Sequence, residues 1–119
     1  MTDKDLRWNN FIETICYRDL STLSTIQKKA VLCFLYDAEM NSGGYSGYID
    51  CYPDTNADEL EEAILTIGNK AIADNYRKAV ECGADDDWSE TDNAYYKFSP
   101  SLADYIEEFV ENNKDVIFD

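Results

Sequence analysis

Apolar side chains recur at helical spacing along almost the whole chain, and no two strand-like segments flank a hairpin turn. Trp8, Phe11, Ile12 and Ile15 fall at i, i+3, i+4 and i+7, which predicts an N-terminal helix within residues 1–19. Ser21 or Ser24 can cap a second helix running to about Met40. Its stretch Ala30-Val31-Leu32-Cys33-Phe34-Leu35-Tyr36 is apolar on all sides, the pattern of a central, buried helix. A seven-residue apolar run also fits a strand, but the helix-favouring flanks and the segment's length decide for the helix.

Asn41-Ser42-Gly43-Gly44 ends that helix, because glycine tolerates the left-handed cap conformation. Tyr45, Tyr48, Ile49 and Tyr52 predict a short third helix closed by Pro53. Thr55-Asn56-Ala57-Asp58 carries a cap signal, and Leu60, Ala63, Ile64 and Ile67 form the stripe of a fourth helix, stopped by Gly68. Ile72, Tyr76, Ala79 and Val80 mark a fifth, stopped by Gly83. Residues 84–98 read as an acidic loop, then an aromatic segment that fits either one helical turn or an extended strap. Ser99-Pro100-Ser101 opens the last helix, with Pro in its first turn and Leu102, Tyr105, Ile106, Phe109 and Val110 as its stripe. The expected fold is all-α: a single compact domain over residues 1–119, of six to seven helices. At 119 residues with 45% apolar content, the chain is long enough to bury a core.

The charge is lopsided. Residues 1–36 carry five basic and four acidic side chains, whereas residues 37–119 carry five basic and twenty-one acidic ones, for a formal net charge of −15. Such self-repulsion contributes nothing to folding, so it points to a partner. A surface this negative repels nucleic acid and anionic membrane and attracts basic protein. Three clusters hold most of the acid: Asp50, Asp54, Asp58, Glu59, Glu61 and Glu62; Glu81, Asp85, Asp86, Asp87, Glu90 and Asp92; and Asp104, Glu107, Glu108, Glu111, Asp115 and Asp119. The first two contain no interleaved Lys or Arg. The apolar stripes send Asp58, Glu59, Glu61 and Glu62 outward on the fourth helix, and Asp104, Glu107, Glu108 and Glu111 outward on the last. Most charge runs are merely a solvated face; three clusters with almost no counter-charge shift the balance toward a binding surface.

No metal or cofactor is expected. Asp54-Thr55-Asn56-Ala57-Asp58 matches the start of a calcium loop, but Glu59 stands where the loop needs Gly and Leu65 where it needs Glu. The cysteines, Cys16, Cys33, Cys51 and Cys82, form no Cys-x-x-Cys pair, and no histidine completes a mixed zinc site. They read as structural thiols. No catalysis is expected either: histidine is absent, as are the nucleophile elbow, the phosphate loop and the dinucleotide fingerprint. No apolar run approaches the ~20 residues of a membrane span, and the N-terminus lacks a signal-peptide pattern, so a cytoplasmic location is expected.

The segment Glu39-Met40-Asn41-Ser42-Gly43-Gly44-Tyr45-Ser46-Gly47-Tyr48 resembles the signature of the bacterial DNA mimic protein 19-like domain family. The signature residues here are Glu39, Asn41, Gly43, Gly44, Tyr45 and Tyr48. Ala63-Ile64-Leu65-Thr66-Ile67-Gly68, Tyr95-Tyr96, and Tyr105-Ile106 with Asn112 or Asn113 are similar to later parts of the family pattern, over about residues 20–118. Ser42 and Gly47 depart from it, standing where Asn and Gln are usual. The residues alone suggest a tight helix-to-helix corner at Gly43-Gly44 with Tyr45 and Tyr48 packed beneath. The resemblance implies an all-α fold and a surface whose carboxylates stand in for phosphates, held against a transcription factor.

The leading expectation is therefore an acidic protein-binding module, a DNA mimic that occupies the basic surface of a DNA-binding protein. The alternatives are an immunity-type inhibitor of a basic toxin and a domain whose site is the Gly-Gly-Tyr corner. In each of the first two the partner is a basic protein. Successive phosphates on one strand rise ~3.4 Å, a helix turn rises ~5.4 Å, and so a mimic needs acids from several elements on one face. The candidate binding residues are Asp54, Asp58, Glu59, Glu61, Glu62, Asp85, Asp86, Asp87, Glu90, Asp92, Asp104, Glu107, Glu108 and Glu111.

Overall fold

Ser24 and Gln27 close a capping box, each side chain meeting the other's backbone amide, and from there α2 (Thr25–Met40) runs through the middle of the molecule. The computed structural model describes residues 2–118. On α2, Ala30, Val31, Cys33, Tyr36 and Met40 are fully buried and Leu32, Phe34 and Leu35 half-buried, as an apolar-all-round helix requires. Gln27 is buried too, and it is satisfied at both ends. Its Oε1 accepts from the Ser24 amide at 2.9 Å, and its Nε2 donates to the Ile117 carbonyl at 2.9 Å, tying the chain's end to the start of α2.

The other helices wrap this axis. α1 (Asp3–Glu13), also opened by a capping box at Thr2, meets α2 through Trp8 and Phe11, which pack on Phe34 at ring-centre distances of 5.9 Å. α3 (Gly44–Cys51) and α4 (Ala57–Ile67) pack on α2, and α5 (Lys70–Cys82) packs on α4. α6 (Ser89–Tyr95) lies against α5. α7 (Leu102–Asn112) packs on α1, α2 and α4, and α8 (Lys114–Ile117) closes the bundle against α2 and α7. Short 3-10 turns occur at Ile15–Tyr17, Leu20–Thr22 and Gly83–Asp86, and no strand occurs among the described residues. The domain is all-α.

Among the described residues eight α-helices stand where six or seven were expected. The single turn of α8 is the addition, and α6 takes up the helical alternative for the aromatic segment but starts earlier, at Ser89, and ends at Tyr95. The acidic segment at 84–95 is not a loop: Asp87 and Trp88 take left-handed backbone with φ of 56° and 62°, which reverses the chain and starts α6. The reversal is held by the Trp88 indole, whose Nε1 donates to the Ala79 carbonyl at 3.1 Å. A Cβ on Gly83 would stand 2.2 Å from that indole's Cδ1, so the glycine makes room for tryptophan. On α5 the buried stripe is Ile72, Ala73, Tyr76 and Ala79; Val80 lies one step around the helix and is exposed, because α4 and α6 press on the other side. Pro100 precedes α7, whose cap is Ser101, so it does not enter that helix's first turn.

Candidate functional site: acidic clusters around a glycine corner

The buried stripe Leu60, Ala63, Ile64 and Ile67 fixes how α4 presents its acids. Asp58 and Glu61 flank one side and Glu59 and Glu62 the other, and each pair meets cations from a different helix. Arg77 of α5 donates through Nη2 to Asp58 at 2.5 Å and through Nε to Glu61 at 3.0 Å. Its hydrogen bonds to Glu61 and Asp58 raise an already high pKa. Across the other edge, Lys28 and Lys29 of α2 reach Glu59 at 3.1 Å and Glu62 at 3.4 Å. Asp54, in the turn before α4, is exposed and has no ion pair among the described residues.

The second cluster lies on the far side of α5. Lys78, next to Arg77 in sequence, bonds Glu90 of α6. Asp86 accepts the Glu90 amide at 3.0 Å. Asp85 and Asp87 are exposed and outside every ion pair of the described residues. The first two clusters therefore border one helix, α5, from opposite edges. In the third cluster, Asp104 serves the capping box of α7, accepting the Ser101 amide at 3.1 Å. Glu107 and Glu108 carry no ion pair among the described residues. Glu111 is gripped by Arg7 of α1, with Nε to Oε2 at 2.8 Å, and the Arg7 hydrogen bond holds its carboxyl below the usual range.

Six of the fourteen candidate acids are thus ion-paired with five cations distant in sequence: Asp58, Glu59, Glu61, Glu62, Glu90 and Glu111. The acids left without an ion pair gather on the turn before α4, on the Gly83–Asp86 turn with Asp87, and along α7.

Asp92 has gone elsewhere. Its Oδ1 accepts the Tyr45 backbone amide at 3.2 Å, at the start of α3. Burial raises its carboxyl pKa and Asp86 adds to the rise, while the Tyr45 amide opposes it. The partner of Asp92 is the glycine corner. Gly44 has φ of 71°, a conformation that glycine adopts without strain, and a Cβ there would stand 2.4 Å from Asp92 Oδ2. Gly43 has ordinary negative φ.

The remaining signature residues finish the corner. Asn41 donates its side-chain Nδ2 to the Asp37 carbonyl at 2.9 Å, and the Glu39 carbonyl accepts the Ser42 and Gly43 amides, so the last carbonyls of α2 are satisfied. Tyr45 and Tyr48 are buried beneath it. Tyr45 packs on Trp88 at 5.5 Å, and the hydroxyls of Tyr48 and Thr55 share a hydrogen bond of 3.0 Å. The Glu39 carboxylate passes over Gly47, whose missing side chain leaves Oε2 3.6 Å from where a Cβ would be.

Sequence reasoning did not find the polar pair at the centre. Asp37, nearly buried on α2, accepts a hydrogen bond from the Tyr95 hydroxyl of α6, and Tyr95 packs edge-on against Tyr36, which also meets Tyr48 and Tyr76. Burial raises the Asp37 pKa, and the Tyr95 hydroxyl works against that rise. Helical periodicity signals nothing here, since Asp37 interrupts no stripe and its partner lies 58 residues away. The thiols are all free: Cys33 is buried, burial pushes Cys16 up to about 12, and Cys51 and Cys82 are exposed. Among the described residues no three Cys, Asp or Glu side chains converge as a metal site, and no helix is long and apolar enough to cross a membrane.

No curated protein and no solved structure matches the chain. The sequence profile of one family, described as DMP19-like protein, matches residues 21–117. The match begins before α2 and ends with α8, leaving α1 outside and taking in the whole glycine corner. Over that span, the chain belongs to the DMP19-like protein family.

Proposed function

We propose that this domain is a binding module rather than an enzyme, and that it acts as an acidic decoy on the basic surface of a DNA-binding protein. The observation that carries the reading is the distribution of acids without ion pairs. With Arg7, Lys28, Lys29, Arg77 and Lys78 all paired, Asp54, Asp85, Asp87, Glu107 and Glu108 still face outward, from the turn before α4, the turn before α6 and α7. A duplex mimic needs carboxylates from separate elements because one helix cannot match phosphate spacing. Membership of the DMP19-like family supports the same reading. The glycine corner is a weaker candidate for a ligand site, since Asn41, Gly44, Tyr45 and Tyr48 are taken up by contacts within the domain.

The test is capture of basic partners from the native cell lysate at low and high salt. Exposed charges are screened within a Debye length of ~8 Å at physiological ionic strength, so bound proteins should be released as salt rises. Replacing Asp85, Asp87, Glu107 and Glu108 with Asn and Gln should lose them, while neutralising the paired Asp58, Glu61 and Glu62 should cost less. Partners that survive high salt and all four substitutions would refute the decoy.

A further inference from the structure

Beside α2 lies a cavity of about 380 Å³, open to solvent, that none of the acids above explains. Leu32 and Leu35 of α2, Leu60 of α4, Tyr52 and Pro53 of the intervening turn and Leu20 at the edge give it apolar walls. Its size is that of a small binding pocket, where ~300 Å³ and upward is usual. Leu32 and Leu35 are half-buried where this cavity opens beside α2.

The mouth is negative. Asp54 and Glu59 line it, and Lys28, the one cation of the lining, is already bonded to Glu59 at 3.1 Å. At the other end, Cys51 and Tyr52 feel Glu39: after burial, its carboxylate is the next cause raising both groups, and Asp50 adds to the rise at Cys51. Two carboxylates thus line the mouth of an apolar hole whose single ammonium is already paired, and Glu39 and Asp50 add negative potential at Cys51. An acidic or neutral apolar ligand meets repulsion or no help there; a basic one meets attraction.

We propose that this groove is an anchor for a polypeptide partner, taking one or two aliphatic side chains that are flanked by Lys or Arg. The inference rests on the basic partner proposed above and adds what that reading lacks, a desolvated pocket. Rim charges steer and select, whereas a filled apolar pocket at the centre of an interface carries much of its affinity. Binding here should accordingly depend on the aliphatic side chain as well as on the flanking charge.

Nuclear magnetic resonance titration of the labelled protein with synthetic peptides tests it. The probe is acetyl-Lys-Arg-Leu-Leu-Arg-Lys-amide, the controls being its Leu-to-Ser version and a version with Glu replacing every Lys and Arg. The leucine peptide should shift the amides of Leu35, Tyr52 and Leu60, and the serine version should bind at least about tenfold more weakly, as expected for an aliphatic side chain left in water. Leu20→Ser, a change at a partly exposed edge residue, should weaken only the leucine peptide; Asp54→Asn should weaken both basic peptides by a few-fold. Equal binding of the two basic peptides, shifts centred on Asp85 to Asp87, equal binding of the acidic peptide, or groove shifts that appear on concentrating the protein alone would each overturn the proposal. If the peptides behave as expected but no salt-sensitive partner is captured, the decoy reading fails and the groove stands; the converse result removes the groove alone.

Discussion

Asp92 accepts the Tyr45 amide through Oδ1 at 3.2 Å, while its Oδ2 fills the spot that any side chain on Gly44 would need. One relationship thus links the Gly-Gly-Tyr signature to an acid 47 residues away. The glycine gives the carboxylate its space, and the carboxylate supplies an acceptor for the first turn of α3. An acid that looks like part of a surface cluster is in fact a brace of the fold.

Gly44→Ala is expected to destabilise the protein by about 2–3 kcal/mol, because it combines left-handed strain with a clash against Asp92. Gly43→Ala, whose Cβ would sit 3.4 Å from the Gly47 Cα at negative φ, should cost less than about 1 kcal/mol. Urea unfolding of the two variants side by side measures the contrast.

Asp92→Ala leaves the α3 amide without its acceptor and should cost about 1–2 kcal/mol, whereas Asp92→Asn keeps an oxygen in place and should cost little. Partner capture by the Asn variant should match that of the wild type. A large loss of capture in a stable Asp92→Asn protein would return this residue to the binding surface.

Arg77→Met should release Asp58 and Glu61 from their shared cation and make that edge of α5 more negative. Later elution from an anion exchanger and a steeper salt dependence of polylysine binding are the expected results. The helix should remain folded, since Asp58 is exposed, Arg77 and Glu61 are only partly buried, and the stem of Met still covers apolar surface.

Asp37 is a carboxyl whose pKa is raised from 3.8, chiefly by burial. The native state therefore keeps its proton to higher pH than the unfolded chain does. The Asp37 contribution to stability is full below 3.8 and is lost as pH rises through the native value. Asp37→Asn retains an oxygen for the Tyr95 hydroxyl and should remove this pH-dependent loss. The stability difference between wild type and variant, measured by urea unfolding across the window just above 3.8, should move in favour of the variant as pH rises.

Tyr95→Phe withdraws the hydroxyl that Asp37 accepts from, leaving a buried carboxylate short of a donor. The expected cost at neutral pH is about 1–3 kcal/mol, read as a fall in the urea midpoint. In Tyr95→Phe combined with Asp37→Leu most of that cost should vanish, because an apolar pair of similar size asks for no partner.

Much of the fold was legible because helices write their burial locally. Leu60, Ala63, Ile64 and Ile67 lie at intervals that one turn brings onto one face, and Ser24 with Gln27 marks a helix start within four residues. The start of α6 escaped because its first turn depends on Trp88, held in left-handed backbone by the Ala79 carbonyl and the bare Gly83, a contact that periodicity does not encode. The buried Asp37–Tyr95 pair escaped for the same reason.

The amino-acid sequence by itself determined the all-α class, the apolar stripes, the glycine corner and the excess of acid, since each follows from composition or from neighbours a few residues apart. Only the tertiary structure decided which acids remain available. Arg77 reaches Glu61 across 16 residues, Lys28 reaches Glu59 across 31, and Arg7 reaches Glu111 across 104. An ion pair forms wherever packing brings charges within about 4 Å, and packing is settled by burial of the stripes, not by the order of charges along the chain.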